Sequence, residues 1–550
     1  MRQYIVLLKS YLIAIFLVYN NKIYRMKSRN LIYSCLVSLM LITLSGCIDD
    51  FLDFVPEDKI TSANFPENES DIKLLLNGVY AQLREKDVYN QGLFGFGVLD
   101  GTTPNAYNWG NGPIAKAGNG SLASSDADML TFRWQRSYDI ISRANNLLSA
   151  IEKVDLSEEV KAIYIGEAHF LRGLAYATLV ESYGGVPLIM EGITTEESRN
   201  LSRASAAETW NLVHADYDEA ISKLKTEAPE VGRATLGSAL GMKMRAYLYQ
   251  AKYKEVIEIA DKIDALGKYK LFNSYEGLFN GKNENNVEVL FDIQYIEGEN
   301  SQGSFIDQYC GTGTGSWTRG TRYVPTDDLV NAYEMADGSP ASPFDPNNPE
   351  TWEGKDPRLG FTIVLPGTFF LGYQFPNYIY QGGAFNHPGN RLKHLSTRKY
   401  RVQDEADLPT AGQSYLNNII IRYADVLLSK AEAIIETNGN VDEAISLINR
   451  VRTERDDVKI TALPNGLSRE EARARLRNER RVEFALEGLY WMDIKRWKIG
   501  KEIYPVHVYD HNGDIIETKF PNGYLEHYDL LPIPDSERSL NENLEQNPGW

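Results

Sequence analysis

Apolar residues recur at helical spacing in consecutive stretches of similar length, and this constrains the chain more than any other feature. Trp134, Tyr138, Ile141, Leu148 and Ile151 form one stripe, with Asn145 at a position where the stripe turns polar. A polar residue so placed is expected to be a buried, hydrogen-bonded structural side chain. A second helix carries Ile165, Ala168, Ala175 and Leu179 on one face and stops at Tyr183-Gly184-Gly185-Val186-Pro187, where glycines and a proline punctuate the chain. Ser205 and Glu208 make a capping box ahead of Val213, Tyr217, Ala220 and Leu224. Leu236–Gln250 and Tyr253–Leu266 predict a further pair. Ile420, Tyr423, Leu427 and Ile434 predict a helix ending near Gly439, with Ala444, Ile448 and Val451 on its partner. Ser468 and Glu471 cap a helix assigned Glu479, Arg480, Arg481, Glu483 and Glu487, whose charges are expected to tie helices together rather than to catalyse. The predicted fold class is therefore mainly α: a tetratricopeptide-like scaffold of helical hairpins, without the strict repeat signature.

Between the helical blocks the texture changes. Val287, Val289, Phe291, Ile293 and Tyr295 alternate as one short strand should, and from Glu297 to Leu416 the chain is dense in Gly, Pro, Asn and aromatics. So long a loop-rich segment inside a folded protein is usually functional, and its aromatics suit binding better than a solvated tail. The expected organisation is one domain over residues 58–550. Its helical scaffold spans about 58–296 and 415–500, a minor-β, loop-rich lobe about 297–414, and a C-terminal segment 501–550.

The N-terminus reads as an export signal. From Met26, the expected true start, a basic region (Lys27, Arg29) precedes the apolar stretch Leu31–Leu44 and then Leu44-Ser45-Gly46-Cys47, a lipobox. The stretch falls short of the about 20 apolar residues that span a bilayer. Residues 1–46 are thus expected to be removed, Cys47 to carry lipid chains, and 47–57 to form a short acidic tether. Six of the 57 Lys and Arg residues and none of the 75 Asp and Glu residues lie in 1–46, so removal takes the net charge from -18 to -24. Such a field argues against nucleic acid or polyanionic glycans as partners. Of three cysteines only Cys310 remains for the folded body, which gives no disulfide framework and no strong case for a nucleophile.

Catalytic and metal motifs are lacking. The seven histidines include no H-E-x-x-H, and His507 and His511 lie in a stretch that reads as extended. Gly311-x-Gly313-x-Gly315 opens no strand-to-helix turn, so it is read as a loop rather than a phosphate cradle. Asp510-x-Asn512-x-Asp514 begins like a calcium loop but has Gly513 at its fourth position and no Glu at its twelfth. No cofactor is expected, and a structural calcium ion is left open. A glycoside hydrolase stays as a rival, because the spacing of two carboxylates in sequence does not exclude one.

Several stretches resemble the SusD-like (RagB/SusD) family. They are Phe51-Leu52-Asp53; Trp134 to Arg143-Ala144-Asn145; Glu167-Ala168-His169-Phe170-Leu171-Arg172 with Tyr183-Gly184-Gly185-Val186-Pro187; and Asp356-Pro357-Arg358-Leu359. Arg422-Tyr423-Ala424-Asp425, Asn449-Arg450-Val451-Arg452, Glu479 to Gly488, Asp493 to Trp497, Leu531-Pro532-Ile533-Pro534 and Gln546 to Trp550 continue the pattern. Tyr490 departs from it, standing where the family usually has Arg, which puts one internal ion pair in doubt. The resemblance implies a non-catalytic, glycan-binding lipoprotein on the outer-membrane surface of a Bacteroidota-type bacterium. It would hand glycan to a SusC-like TonB-dependent outer-membrane transporter. Peptide-handling relatives imply an oligopeptide-binding subunit as the alternative.

A sugar site needs exposed aromatic platforms flanked by amide, carboxylate and guanidinium groups. Two loops have that composition, and the first corresponds to one that supplies ligand contacts in the family. They run from Asp100 to Gly112, with Asn105, Tyr107 and Trp109, and from Gly311 to Tyr323, with Trp317 and Arg319. Trp352 is a further candidate contact, and Tyr373, Tyr378 and Tyr380 are weaker ones.

Overall fold

Side-chain caps start most of the long helices, two of them, Ser205 and Ser468, at the predicted places. The computed structural model describes residues 65–85, 89, 96–108, 112–126, 129–297, 303–304, 323–345, 348–365, 367–374, 395–410, 412–509 and 514–550. Asn68 caps α1 (Glu69–Leu83); α2 (Met129–Ile151) follows, and Ser157 caps α3 (Glu158–Tyr183). Full capping boxes open α4 (Ala206–Lys223), through Ser205 and Glu208, and α5 (Leu236–Tyr249), which α6 (Tyr253–Ala265) follows after a short turn. Then come α7 (Tyr423–Glu436), α8 (Val441–Thr453), α9 (Arg469–Glu483) and α10 (Tyr490–Trp497). α2 packs on α1 and α3, α3 on α4, α4 on α5, α5 on α6, α6 on α7, and α7 on α8 and α9. The mainly α scaffold of successive helix pairs is therefore one continuous array within the unit 68–550.

Local details explain the motifs. Asn145 is buried and structural: its Oδ1 accepts from Arg172 at 2.8 Å and its Nδ2 donates to Ile189 O at 2.9 Å. Gly184 ends α3 at φ 75°, and a Cβ on Gly185 would sit 2.0 Å from Ala204 O, so neither position tolerates a side chain. Two expectations need correcting. Ile420 belongs not to a helix but to the strand Asn418–Arg422, which pairs antiparallel with Val289–Ile293, and the helix begins at Tyr423. Three consecutive isoleucines buried on both faces satisfied a helical spacing by accident. Glu487 lies beyond α9, in a turn where Leu486 and Gly488 have φ of 64° and 78°.

That turn and α9 anchor a buried ion network. Glu483 accepts from Arg358 at 2.7 Å, Arg422 at 2.6 Å and Arg455 at 2.8 Å. Glu288 accepts from Arg422 and Arg455, Glu479 from Arg358 and Arg452, and Glu487 from Arg422 and Lys399. Burial alone would raise the Glu483 carboxyl, but Arg455, Arg422 and Arg358 outweigh it and hold it well below the usual carboxylate range. A group depressed in this way stabilises the fold above its unfolded value and loses that contribution as pH falls. Replacing Glu483 by Gln leaves three guanidinium groups short of charge in a dry site and should cost about 3–5 kcal/mol, read as a lower urea midpoint near neutral pH; an unchanged midpoint would contradict this account of the core.

Candidate functional site

The two loops singled out by composition are joined at their roots. Residues Phe96–Thr102 form a 3-10 turn leading into the strand Ala106–Asn108, which pairs antiparallel with Tyr323–Pro325. In that register Asn108 lies opposite Tyr323 and Ala106 opposite Pro325. The chain therefore continues towards Trp109 and comes back from Arg322 at the same end of one short ribbon. Trp109, Trp317 and Arg319 lie outside the described residues, as do Cys47, Tyr378 and Tyr380; of Tyr323 only the backbone is described.

The root of the ribbon is held from below. Thr326 N donates to Asn105 O at 3.1 Å, and the Thr326 hydroxyl donates to Pro104 O. Arg481, in the last turn of α9, donates from Nε to Asn105 Oδ1 at 2.8 Å and from Nη2 to Asp328 at 3.3 Å. Its guanidinium lies 5.0 Å from the centre of the Tyr490 ring. The departure at Tyr490 thus gives Arg481 an aromatic face where a second guanidinium would repel it. The antiparallel C-terminal pair Val506–Tyr509 and Ile515–Lys519 supplies the floor. Tyr107, Val324 and Val508 form a small apolar cluster with Ile516 packed against it. Lys519 donates to Gly101 O at 2.8 Å and Tyr504 to Thr102 O at 3.2 Å. Burial lowers the Lys519 amine to about 8 and raises the Tyr107 hydroxyl, which bonds Glu517, to about 12.

These facts correct four assignments. Asp100 and Asn105 are 0% exposed, Trp352 6% and Tyr107 8%, so none of them offers a face to a ligand. Asp100 bonds Gly488 N at 3.3 Å, Asn105 pairs with Arg481, Tyr107 packs in the ribbon's own cluster, and Trp352 packs on Phe344 in the main core at 5.5 Å. Between Asp100 and Asn105 the chain turns tightly over this buried floor, with Thr103 N donating to Asp100 O at 2.9 Å. Arg481, Lys519, Tyr504 and Glu517 carry that floor, and no local sequence signal marks them for it, because they come from segments more than 370 residues away.

Among the described residues no cluster of three or more His, Cys, Asp or Glu could hold a metal ion, and no helix is long and apolar enough to cross a membrane. A groove of about 500 Å³ lies elsewhere, between Trp134, Tyr138, Pro187, Ile189, Leu540 and Leu544. Its lining mixes these apolar side chains with polar and charged ones, among them Asp139, Glu191, Arg199 and Asn541.

Known proteins match this arrangement along most of the chain. A sequence model described as the SusD family matches residues 287–550, and one described as starch-binding associating with outer membrane matches residues 50–248. The chain belongs to the SusD-like family. SusD-like protein P2 of Formosa agariphila is 26% identical over 531 residues, covering 94% of this chain and 99% of that protein. A SusD-like protein of Bacteroides ovatus is 25% identical over 505 residues, covering 86% and 83%. Among solved structures, a SusD-like carbohydrate-binding protein of Bacteroides fragilis is similar at a TM-score of 0.76 and 26% identity, covering 87% of this chain and 99% of that one. A laminarin-binding SusD-like protein gives a TM-score of 0.63 at 21% identity, covering 88% and 100%, a likeness of fold alone.

The buried Asp100 of this SusD-like chain makes the ribbon floor sensitive to pH. Burial raises its carboxyl to about 7, against the backbone N–H groups of Gly488 and Leu486 that favour the charged form. A raised carboxyl contributes stability that is complete below its ordinary value of 3.8 and is lost as pH rises through about 7. Asp100→Asn should match the wild type near pH ~4 and surpass it by on the order of a few kcal/mol at pH ~8. Thermal unfolding across that range measures this; a difference that does not grow with pH would mean that Asp100 is solvated.

Proposed function

We propose that this SusD-like chain is a cell-surface, glycan-binding lipoprotein that captures poly- or oligosaccharide without chemistry and delivers it to a SusC-like TonB-dependent transporter. The observation that carries the reading is the ribbon register. It brings the roots of both aromatic-rich loops together, in a chain whose family includes a relative described as carbohydrate-binding at 26% identity. Trp109 and Trp317 are the proposed platforms, and Arg319 and Tyr323 are proposed as further contacts. An indole laid on the C–H face of a pyranose removes ~80–100 Å² of apolar surface from water, worth roughly 2–2.5 kcal/mol. Two such contacts, less the costs of association, give an affinity nearer millimolar than nanomolar. A polymer compensates for that weakness by offering many equivalent units to one site.

The remaining parts of the proposal rest on the sequence. Lipid on Cys47 would hold the chain at the outer membrane, which agrees with a family description that names that membrane. The acidity of the chain favours neutral over anionic glycans. Native gels cast with a panel of neutral polysaccharides test capture. The protein should be retarded by at least one of them, Trp109→Ala and Trp317→Ala should abolish the retardation at an almost unchanged melting temperature, and no reducing ends should appear. Retardation by none, with heat released on mixing with oligopeptides, would replace glycan by peptide; release of reducing ends would make the protein a hydrolase.

A further inference from the structure

Ala106–Asn108 and Tyr323–Pro325 are strands of three residues each, and among the described residues they form a sheet of two strands. A ribbon of that size is marginal on its own, so its orientation must be set from outside. Two chain segments leave its inner end, one through Asn105 and the other through Thr326 towards Asp328. Arg481 is bonded to both: Nε to Asn105 Oδ1 at 2.8 Å, Nη2 to the Asp328 carboxylate at 3.3 and 3.4 Å. One planar guanidinium with donors in a fixed fork defines the angle between its two acceptors, which a single-point cation does not. The far face of the fork rests on Tyr490. The helix that carries Arg481 also carries Glu479 and Glu483, so the latch ties the ribbon to the buried ion network.

We propose that Arg481 is a positioning residue for ligand capture, a latch that aims the outer end of the ribbon without touching what binds there. This rests on the capture reading above. Three residues of strand span roughly 10 Å, so a guanidinium at the inner end does not reach a ligand at the outer one. A tilt at the root is nevertheless carried to the tip. Asn105 supports the same reading from the other side. Its Nδ2 is buried with no hydrogen-bond partner, so the side chain is held through its one bond to Arg481. Exchanging that amide for a carboxylate removes the unpaired N–H group and strengthens the bond to the guanidinium.

The test compares wild type, Arg481→Lys and Asn105→Asp, all as full chains, by hydrogen exchange at the ribbon amides, with the amides of α7 as the control, and by retention on the polysaccharide that binds the wild type best. Arg481→Lys should speed exchange at Ala106–Asn108 and at Tyr323 and Val324, leave α7 protected, and weaken retention about tenfold, the equivalent of ~1.4 kcal/mol. Asn105→Asp should keep both ribbon protection and retention at the wild-type level or above. Unchanged ribbon exchange in Arg481→Lys overturns the latch, and so does a loss of protection that spreads equally to α7, which is what a merely structural residue would give. Faster ribbon exchange with full retention shows that the ribbon is latched but does not aim the site, which also overturns the proposal. If the wild type is retained by no polysaccharide, capture itself falls, and the exchange data alone then decide whether Arg481 fixes the ribbon.

Discussion

The fold depends on charges that water does not reach. Arg358, Arg422, Arg455, Arg452 and Lys399 face Glu288, Asp356, Glu479, Glu483 and Glu487 in one buried set. Removing ions from water costs several kcal/mol each, and attraction repays this only where every lone pair and proton is met. Here most are met: Arg422 alone bonds Glu288, Glu483 and Glu487, and its stem packs its cation 4.7 Å from the Phe484 ring. The partners come from a strand, two helix ends and three connections, so the network closes only when all of them are in place. An apolar core of the same volume would tolerate small slips between these elements, whereas directional bonds of fixed length do not. Burial draws the Lys399 amine down to about 8, against the Glu487 carboxylate that favours its charged form.

From that centre order spreads outward in steps. A second set of ion pairs, Arg245 and Arg480 with Asp425, and Arg480 with Asp493, binds α5, α7, α9 and α10. α9 then presents Arg481 to the ribbon, and the turn after it presents Gly488 to Asp100. The ribbon is thus tied to both sets of ion pairs through α9 and the turn after it. For the proposed weak capture this matters, because a ring presented on an ordered support loses less freedom when a sugar arrives, and more of a small contact energy would then appear as affinity.

How much of this could be read from the sequence follows from the range of each interaction. Helices announced by local chemistry, such as the boxes Ser205/Glu208 and Ser468/Glu471, begin where the caps say. The buried role of Asn145 was legible because one polar residue interrupted an apolar stripe. Ile420 was misread because three consecutive isoleucines fit both periods, and only pairing with Val289–Ile293 decides between them. The site was half legible. Composition singled out two loops whose roots do pair, Ala106–Asn108 with Tyr323–Pro325, but it could not tell that Asp100, Asn105 and Tyr107 fill the floor. Asp100, Asn105 and Tyr107 share the loop's polar and aromatic character and yet are buried, since Lys519, Tyr504 and Val508 arrive from the far end of the chain to cover them.

The same distinction explains why family membership was plain while the ligand is not. Many of the residues that carried the resemblance, among them Arg358, Arg422, Asp425, Glu479, Arg480, Glu483 and Asp493, are members of the buried ion pairs. A charge in a dry network has few acceptable substitutes, so such positions write a recognisable pattern into the sequence. None of them reaches the outer end of the ribbon. The proposed platforms, Trp109 and Trp317, carry no charge, and what the frame fixes is the ribbon register, in which the chain leaves at Asn108 and returns at Tyr323. The charges that carry the family resemblance and the rings proposed to meet the ligand are therefore separate residues.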